Sequence, residues 1–114
     1  MKVLVTGALG FVGKNLKAHL DAYGYNTIGL DKAALNGEVY KNIFRADILR
    51  SDLTNFLSDI EIVVHLAARV HIMRETSSDP LKEYRMINVD GTIRLADAAI
   101  RAGVKRFIYL SSAK

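Results

Sequence analysis

The sequence predicts an α/β protein: a doubly wound parallel sheet with helices on both faces. Three observations carry that expectation. Short apolar, β-branched runs alternate with longer segments of helical period, the runs hardly alternate with polar residues, and a glycine triplet follows the first of them. A strand buried on both faces reads as a continuous apolar run, whereas a strand with one wet face alternates. Strands alternating with helices join through right-handed crossovers, which give a parallel sheet covered on both sides. The expected strand order is 3-2-1-4-5, and the chain stops after strand five. A ligand crevice then belongs between strands one and four, where the order reverses.

The elements follow in order. Lys2-Val3-Leu4-Val5-Thr6 is the first strand and runs straight into Gly7-Ala8-Leu9-Gly10-Phe11-Val12-Gly13. Val12, Leu16, Leu20 and Tyr23 then recur at helical spacing, with Gly24 as the stop. Asn26 to Leu30 is the second strand, ended by Asp31, and residues 32–42 with Asn36-Gly37 read as a loop. Ile43 to Ala46 is a short third strand ended by Asp47, and residues 51–58 suit a short helix with Ser51 as N-cap. Ile60 to Leu66 is the fourth strand. Residues 67–78 read as a loop with a helical turn. Asp79-Pro80 is a cap followed by proline at the first helical position, so a helix is expected from there to Ala102, closed by Gly103. Phe107 to Leu110 is the fifth strand, with Ser111-Ser112 at its carboxyl end.

Composition bounds the rest. The 114 residues make one domain, 1–114, able to bury roughly 65% of the surface an unfolded chain exposes. Cysteine is absent, which excludes disulfides and thiolate metal sites. No apolar run approaches the ~20 residues of a membrane span, so no membrane association and a cytoplasmic location are expected. The net charge is +4 with pI about 9.5. The cations are scattered, without the basic stripe and interleaved aromatics of a nucleic-acid binder, so no nucleic-acid partner is expected. His19 and His71 show no partners at metal spacing, and no metal is expected.

Glycines at 7, 10 and 13 suit a loop that must turn out of a strand, bring its backbone against a pyrophosphate and let a helix pack closely on the sheet. The helix beyond would aim its free N–H groups and positive dipole end at the phosphates. The candidate contacts are Gly7, Leu9, Gly10, Phe11, Val12 and Gly13. A tight turn in an unrelated α/β domain would show the same triplet, but the strand before it and the helix after it are the confirming context. Asp31 stands where a carboxylate can accept hydrogen bonds from both hydroxyls of an adenosine ribose, which favours NAD. Lys32 beside it could pair with a 2′-phosphate, so NADP stays open. An ordinary turn or cap aspartate would also sit there.

The spacing Thr6-Gly7-x-x-Gly10-x-x-Gly13 resembles the extended short-chain dehydrogenase/reductase family, the nucleotide-sugar epimerase kind, and the resemblance continues along the chain. It implies a Rossmann-type fold and NAD or NADP as cofactor. It implies adenine contacts at Asp47 and Ile48, although a turn cap would also account for the aspartate. It places Leu66, Ala67 and Ala68 along the nicotinamide-side ribose and phosphates. Asn88, in Asn88-Val89-Asp90-Gly91-Thr92, would support the sheet and active-site geometry. Gly91 inside a helix costs ~1 kcal/mol relative to alanine, so close packing is expected there. His65 invites a catalytic role, but a buried histidine at a strand end is the simpler expectation.

The same resemblance makes Ser112 the catalytic hydroxyl, with Ser111 as the fallback. Two serines after a strand are also common turn chemistry. The Tyr-x-x-x-Lys pair that the family uses, its substrate lobe, a nucleotide-sugar substrate and a homodimer are implied for a longer protein. The chain up to Lys114 is expected to bind cofactor without turning over substrate. A 4-epimerase or a 4-keto-sugar reductase is the implied activity, and a non-catalytic cofactor-binding sensor or scaffold is the alternative.

Overall fold

A computed structural model describes residues 1–34, 42–66 and 80–110. The Asn36-Gly37 loop, the segment 67–78, the Asp79 cap and residues 111–114 lie outside the described residues. The strands are β1 (Lys2–Thr6), β2 (Asn26–Asp31), β3 (Ile43–Arg45), β4 (Ile62–His65) and β5 (Arg106–Tyr109). All pair in parallel as one sheet in the order β3-β2-β1-β4-β5, the order expected.

Successive side chains of a strand point to opposite faces; in β1, β2 and β4 both faces are buried, whereas the edge strand β5 is largely exposed. Val3, Val5 and Val64 face helix α1 (Phe11–Ala22), packing with Leu16 and Leu20. Leu4, Leu30 and Val63 face the other way, onto Leu53, Leu57, Ile60, Leu95 and Ala99. That two-sided burial explains the unbroken apolar runs, since each such side chain contributes roughly 1.5–3 kcal/mol on leaving water.

Helix α1 ends where Tyr23 N–H donates to the His19 and Leu20 carbonyls, followed by Gly24 at φ +90°. Its buried residues are Gly13 and Lys17, whereas Val12 and Tyr23 of the helical-period set are exposed. The Lys17 ammonium is 3.1 Å from one Asp21 oxygen, and the other accepts the Thr27 hydroxyl. A buried cation survives only when paired in this way. Phe11, Val12, Leu16, Leu20, Tyr23 and Tyr25 line an open apolar groove of about 500 Å³ along the helix.

Two expected helices are corrected. Residues 51–58 form no α-helix; only Asn55–Leu57 makes a single 3-10 turn. Ser51 caps nothing there, because its Oγ accepts the Asp47 N–H at 2.8 Å. Asp52 Oδ1 accepts the Thr54 N–H at 3.0 Å, and such local side-chain bonds compete with helix formation.

The long helix starts at Pro80 and closes at Gly103 as expected, but it is not uniform. It comprises α2 (Pro80–Arg85), a π-helical segment at Met86–Asp90, and α3 (Gly91–Ala102), with Gly103 left-handed at φ +84°. A π turn holds one extra residue and marks functional sites more often than chance. Gly91, buried, begins α3 directly after it.

Candidate functional site

Parallel pairing brings all the carboxyl ends of the strands to one edge. Thr6 of β1 stands opposite Leu30 and His65, Leu30 opposite Phe44, and His65 opposite Tyr109. The glycine loop, Asp31, Asp47 and Leu66 therefore leave the sheet along the same edge.

The three glycines do three different things. Gly7 turns the chain at φ +68°, and the Gly10 N–H donates back to its carbonyl at 3.0 Å. Gly13 is a packing glycine: a Cβ there would lie 2.1 Å from the Gly7 oxygen and 2.9 Å from its carbonyl carbon. Gly10 needs neither excuse. Its backbone is ordinary extended chain at φ −73°, and among the described residues a Cβ would meet nothing closer than the Gly7 oxygen at 3.4 Å. It is exposed at the N-cap of α1, and no side chain caps that helix. The first N–H groups of α1 thus open toward solvent without an acceptor from the helix itself.

Asp31 sits against this loop. One carboxylate oxygen accepts the Leu9 N–H at 2.9 Å and the other accepts the Ala33 N–H at 2.9 Å. A carboxylate offers about four lone-pair sites, so each oxygen keeps one for an outside donor. Past the ends of β2 and β3 a cleft of about 480 Å³ is lined by Lys32, Arg45, Ala46, Asp47 and Ser51. Asp47 holds the turn after β3: its carboxylate accepts the Leu49 N–H at 2.9 Å and lies 3.7 Å from the Arg50 guanidinium. Ile48 is buried, and its carbonyl accepts from the Arg94 guanidinium at 2.8 Å.

At the end of β4, His65 has no exposed surface. Its Nδ1 is 2.7 Å from the Thr6 hydroxyl and its Nε2 is 2.9 Å from the Thr92 hydroxyl. The ring stacks on Tyr109, with centroids 5.2 Å apart. Burial pushes the imidazole pKa down to about 4. The Leu66 N–H donates to the same Thr6 hydroxyl at 2.9 Å. The histidine is therefore a buried structural group, not a solvent-facing acid or base.

Residues 3–114 match the NAD dependent epimerase/dehydratase family. The chain belongs to that family. A UDP-glucose 4-epimerase of Mycolicibacterium smegmatis is 37% identical over 124 residues, an overlap of 98% of this chain and 39% of the relative. A 3 beta-hydroxysteroid dehydrogenase/Delta 5-->4-isomerase of Mycobacterium tuberculosis is also 37% identical, over 97% of this chain and 31% of its own length. The solved structure of MoeE5 in complex with UDP-glucose and NAD superposes with a TM-score of 0.84 at 34% identity. That match covers 99% of this chain and 37% of MoeE5. The chain thus spans less than two-fifths of each of these three proteins.

Within this epimerase/dehydratase frame, the structure gathers the glycine loop, Leu9 and Asp31 into one contiguous surface, with Lys32 and Asp47 on the cleft beside it. Leu66 follows β4 directly, and its N–H reaches the Thr6 hydroxyl at the end of β1. Asn88 is half-buried in the π segment, and its carbonyl accepts the Thr92 hydroxyl at 2.8 Å. Phe11 and Val12 turn their side chains to the apolar groove, leaving their backbone at the mouth of the helix. Ala67, Ala68, Ser111 and Ser112 lie outside the described residues. Sequence reasoning quoted Thr6 and Thr92 within motifs without giving either a role, and it passed over the π segment. The one signal for them was the polar threonine ending an otherwise apolar strand.

Among the described residues, no cluster of metal-ligating side chains occurs and no helix is long and apolar enough to cross a membrane.

Proposed function

We propose that residues 1–114 form the NAD-binding domain of a nucleotide-sugar 4-epimerase or 4-keto-sugar reductase, enzymes that work by hydride transfer. The observation that carries this is Gly10. Neither its backbone conformation nor packing against the described residues requires glycine, which suits something that approaches from outside. The uncapped N-terminus of α1 next to it suits a pyrophosphate, which takes N–H donors and the positive end of the helix dipole. The free lone pairs of Asp31 suit the two ribose hydroxyls of NAD, and an anion there opposes the 2′-phosphate of NADP.

In this reading Gly7, Leu9, Gly10, Phe11, Val12 and Gly13 present backbone to the phosphates. Lys32, Asp47 and Ile48 border the adenosine end. Leu66, Ala67, Ala68 and Asn88 lie toward the nicotinamide, with Ser112, or Ser111 in its stead, meeting the substrate. NAD supplies the hydride acceptor when bound. The family membership and the MoeE5 structure, which holds UDP-glucose and NAD, support the substrate class. The relatives that act on steroids make the nucleotide sugar part of the proposal rather than a consequence of family. A homodimer of the longer protein belongs to the same reading.

A fluorescence titration of this chain with NADH tests it. Saturable binding is expected. Gly10→Val should weaken it roughly 10- to 100-fold, the binding equivalent of an overpacked contact, with the unfolding midpoint little changed. A well-folded chain that shows no binding at millimolar NADH would sink the proposal.

A further inference from the structure

We infer that His65 is a positioning residue for the crevice, held as its neutral Nε2–H tautomer, and that it couples the end of β4 to the π segment of the long helix. The direction of each hydrogen bond follows from chemistry alone. The Asn88 carbonyl can only accept, so the Thr92 hydroxyl gives its proton there, at 2.8 Å. The Thr92 oxygen then faces His65 Nε2 as an acceptor at 2.9 Å, which requires the hydrogen on Nε2. In the neutral ring Nδ1 is left bare, and it takes the Thr6 hydroxyl proton at 2.7 Å. The Thr6 oxygen in turn accepts the Leu66 N–H at 2.9 Å.

The bonds therefore run one way, from the backbone N–H of Leu66 through two threonines and a histidine to the backbone carbonyl of Asn88. The other tautomer would set a bare Nε2 against an oxygen whose only proton is already committed. A doubly protonated ring would force Thr6 to turn its own proton away. The arrangement is single-valued because its two ends each act in one direction: the Leu66 N–H only donates and the Asn88 carbonyl only accepts.

Its location gives it a task. Thr6 and Leu66 stand on the two walls where the strand order reverses, between β1 and β4. The relay clasps those walls and is anchored behind them in the π segment, which carries Asn88. Any change at Thr92 on the helix should thus be felt at Leu66 on the sheet. For cofactor affinity the inference rests on the NAD reading above; for the relay itself it does not.

The test uses the 114-residue chain with 15N-labelled histidine. The unliganded protein should show the Nε2–H tautomer at His65 near neutral pH. Thr92→Val keeps the shape and removes the hydroxyl, leaving Nε2–H buried without its acceptor. It should speed amide hydrogen exchange at Leu66 about tenfold, the equivalent of ~1.4 kcal/mol for an unsatisfied buried group, while the Val63 and Val64 amides change less. NADH affinity should fall by a similar factor, and Thr92→Ser should restore both. A merely local role for Thr92 would not move Leu66. An Nδ1–H tautomer in the unmodified chain, or unchanged Leu66 exchange in Thr92→Val, would overturn the coupling. If the unmodified chain binds no NADH, the cofactor reading fails, and the tautomer and the Leu66 amide still decide the relay.

Discussion

Gly13→Ala is expected to destabilise the chain by about 3 kcal/mol, near the upper end of what overpacking costs. The added Cβ would lie 2.1 Å from a backbone oxygen, 2.9 Å from the Gly7 carbonyl carbon and 3.0 Å from the Ala8 Cα. All three are main-chain atoms with no rotamer to change, so α1 must lift off the loop. Alanine's helix propensity offsets only ~1 kcal/mol of this. For a domain stable by roughly 5–15 kcal/mol the loss is large. In urea the midpoint should drop by about 2 M, given a slope of ~1–2 kcal/mol/M for a protein of this size. Gly10→Ala is the control in the same loop. Among the described residues its Cβ meets only one atom, at 3.4 Å, and the exchange of glycine for alanine at an N-cap should cost about 1 kcal/mol or less. Equal losses at the two positions would show that the loop is not packed as described.

The second large effect is with pH. His65 titrates near 6.5 in an unfolded chain and at about 4 in the fold, where burial disfavours the charged ring. Between those values the unfolded chain binds the extra proton, so stability rises with pH across the window. The stabilisation is complete above pH 6.5 and is lost as pH falls toward 4. The expected loss is about 2 kcal/mol between pH 7 and pH 5, approaching ~3 kcal/mol at pH 4. The groups packed on the ring are the Thr6 and Thr92 hydroxyls and the Phe107 and Tyr109 rings. Urea titrations at the two pH values measure the loss, and an NMR titration of the His65 ring locates its midpoint. An imidazole that titrates near 6.5 in the folded chain would remove the effect.

Much of the architecture was legible because it depends on local pattern. Five apolar runs, a glycine triplet after the first and a Gly103 stop pointed to the strands and their order. The position of Asp31 was legible too, since the second apolar run ends at it. The interruptions were not. Ser51 looks like a cap until Asp47 is seen to use its hydroxyl, and the Asp52 turn competes only in three dimensions. Lys17 reads as a solvated charge, yet it is 4% exposed because Asp21 lies one helical turn beyond it. The π segment leaves no signature in composition, and Thr92 looks like a surface threonine until His65, 27 positions away, closes on it. Pairings of that span are set by the sheet order, not by neighbours in the chain.

The central place of β1 also imposes a schedule on folding. Its first partner, β2, arrives after a single helix, through contacts of short range. Its second, β4, brings His65 to Thr6 across 59 positions. Chain entropy charges only ~0.6 kcal/mol more for each doubling of a closed loop, but no contact repays it until both strands are present. The segment before β4 must therefore wait, with one edge of β1 bare, and non-local pairings of this kind slow folding. Residues at the β1–β4 seam should then govern the rate at which the chain folds, while those of α1 and β2 mainly govern how long it stays folded.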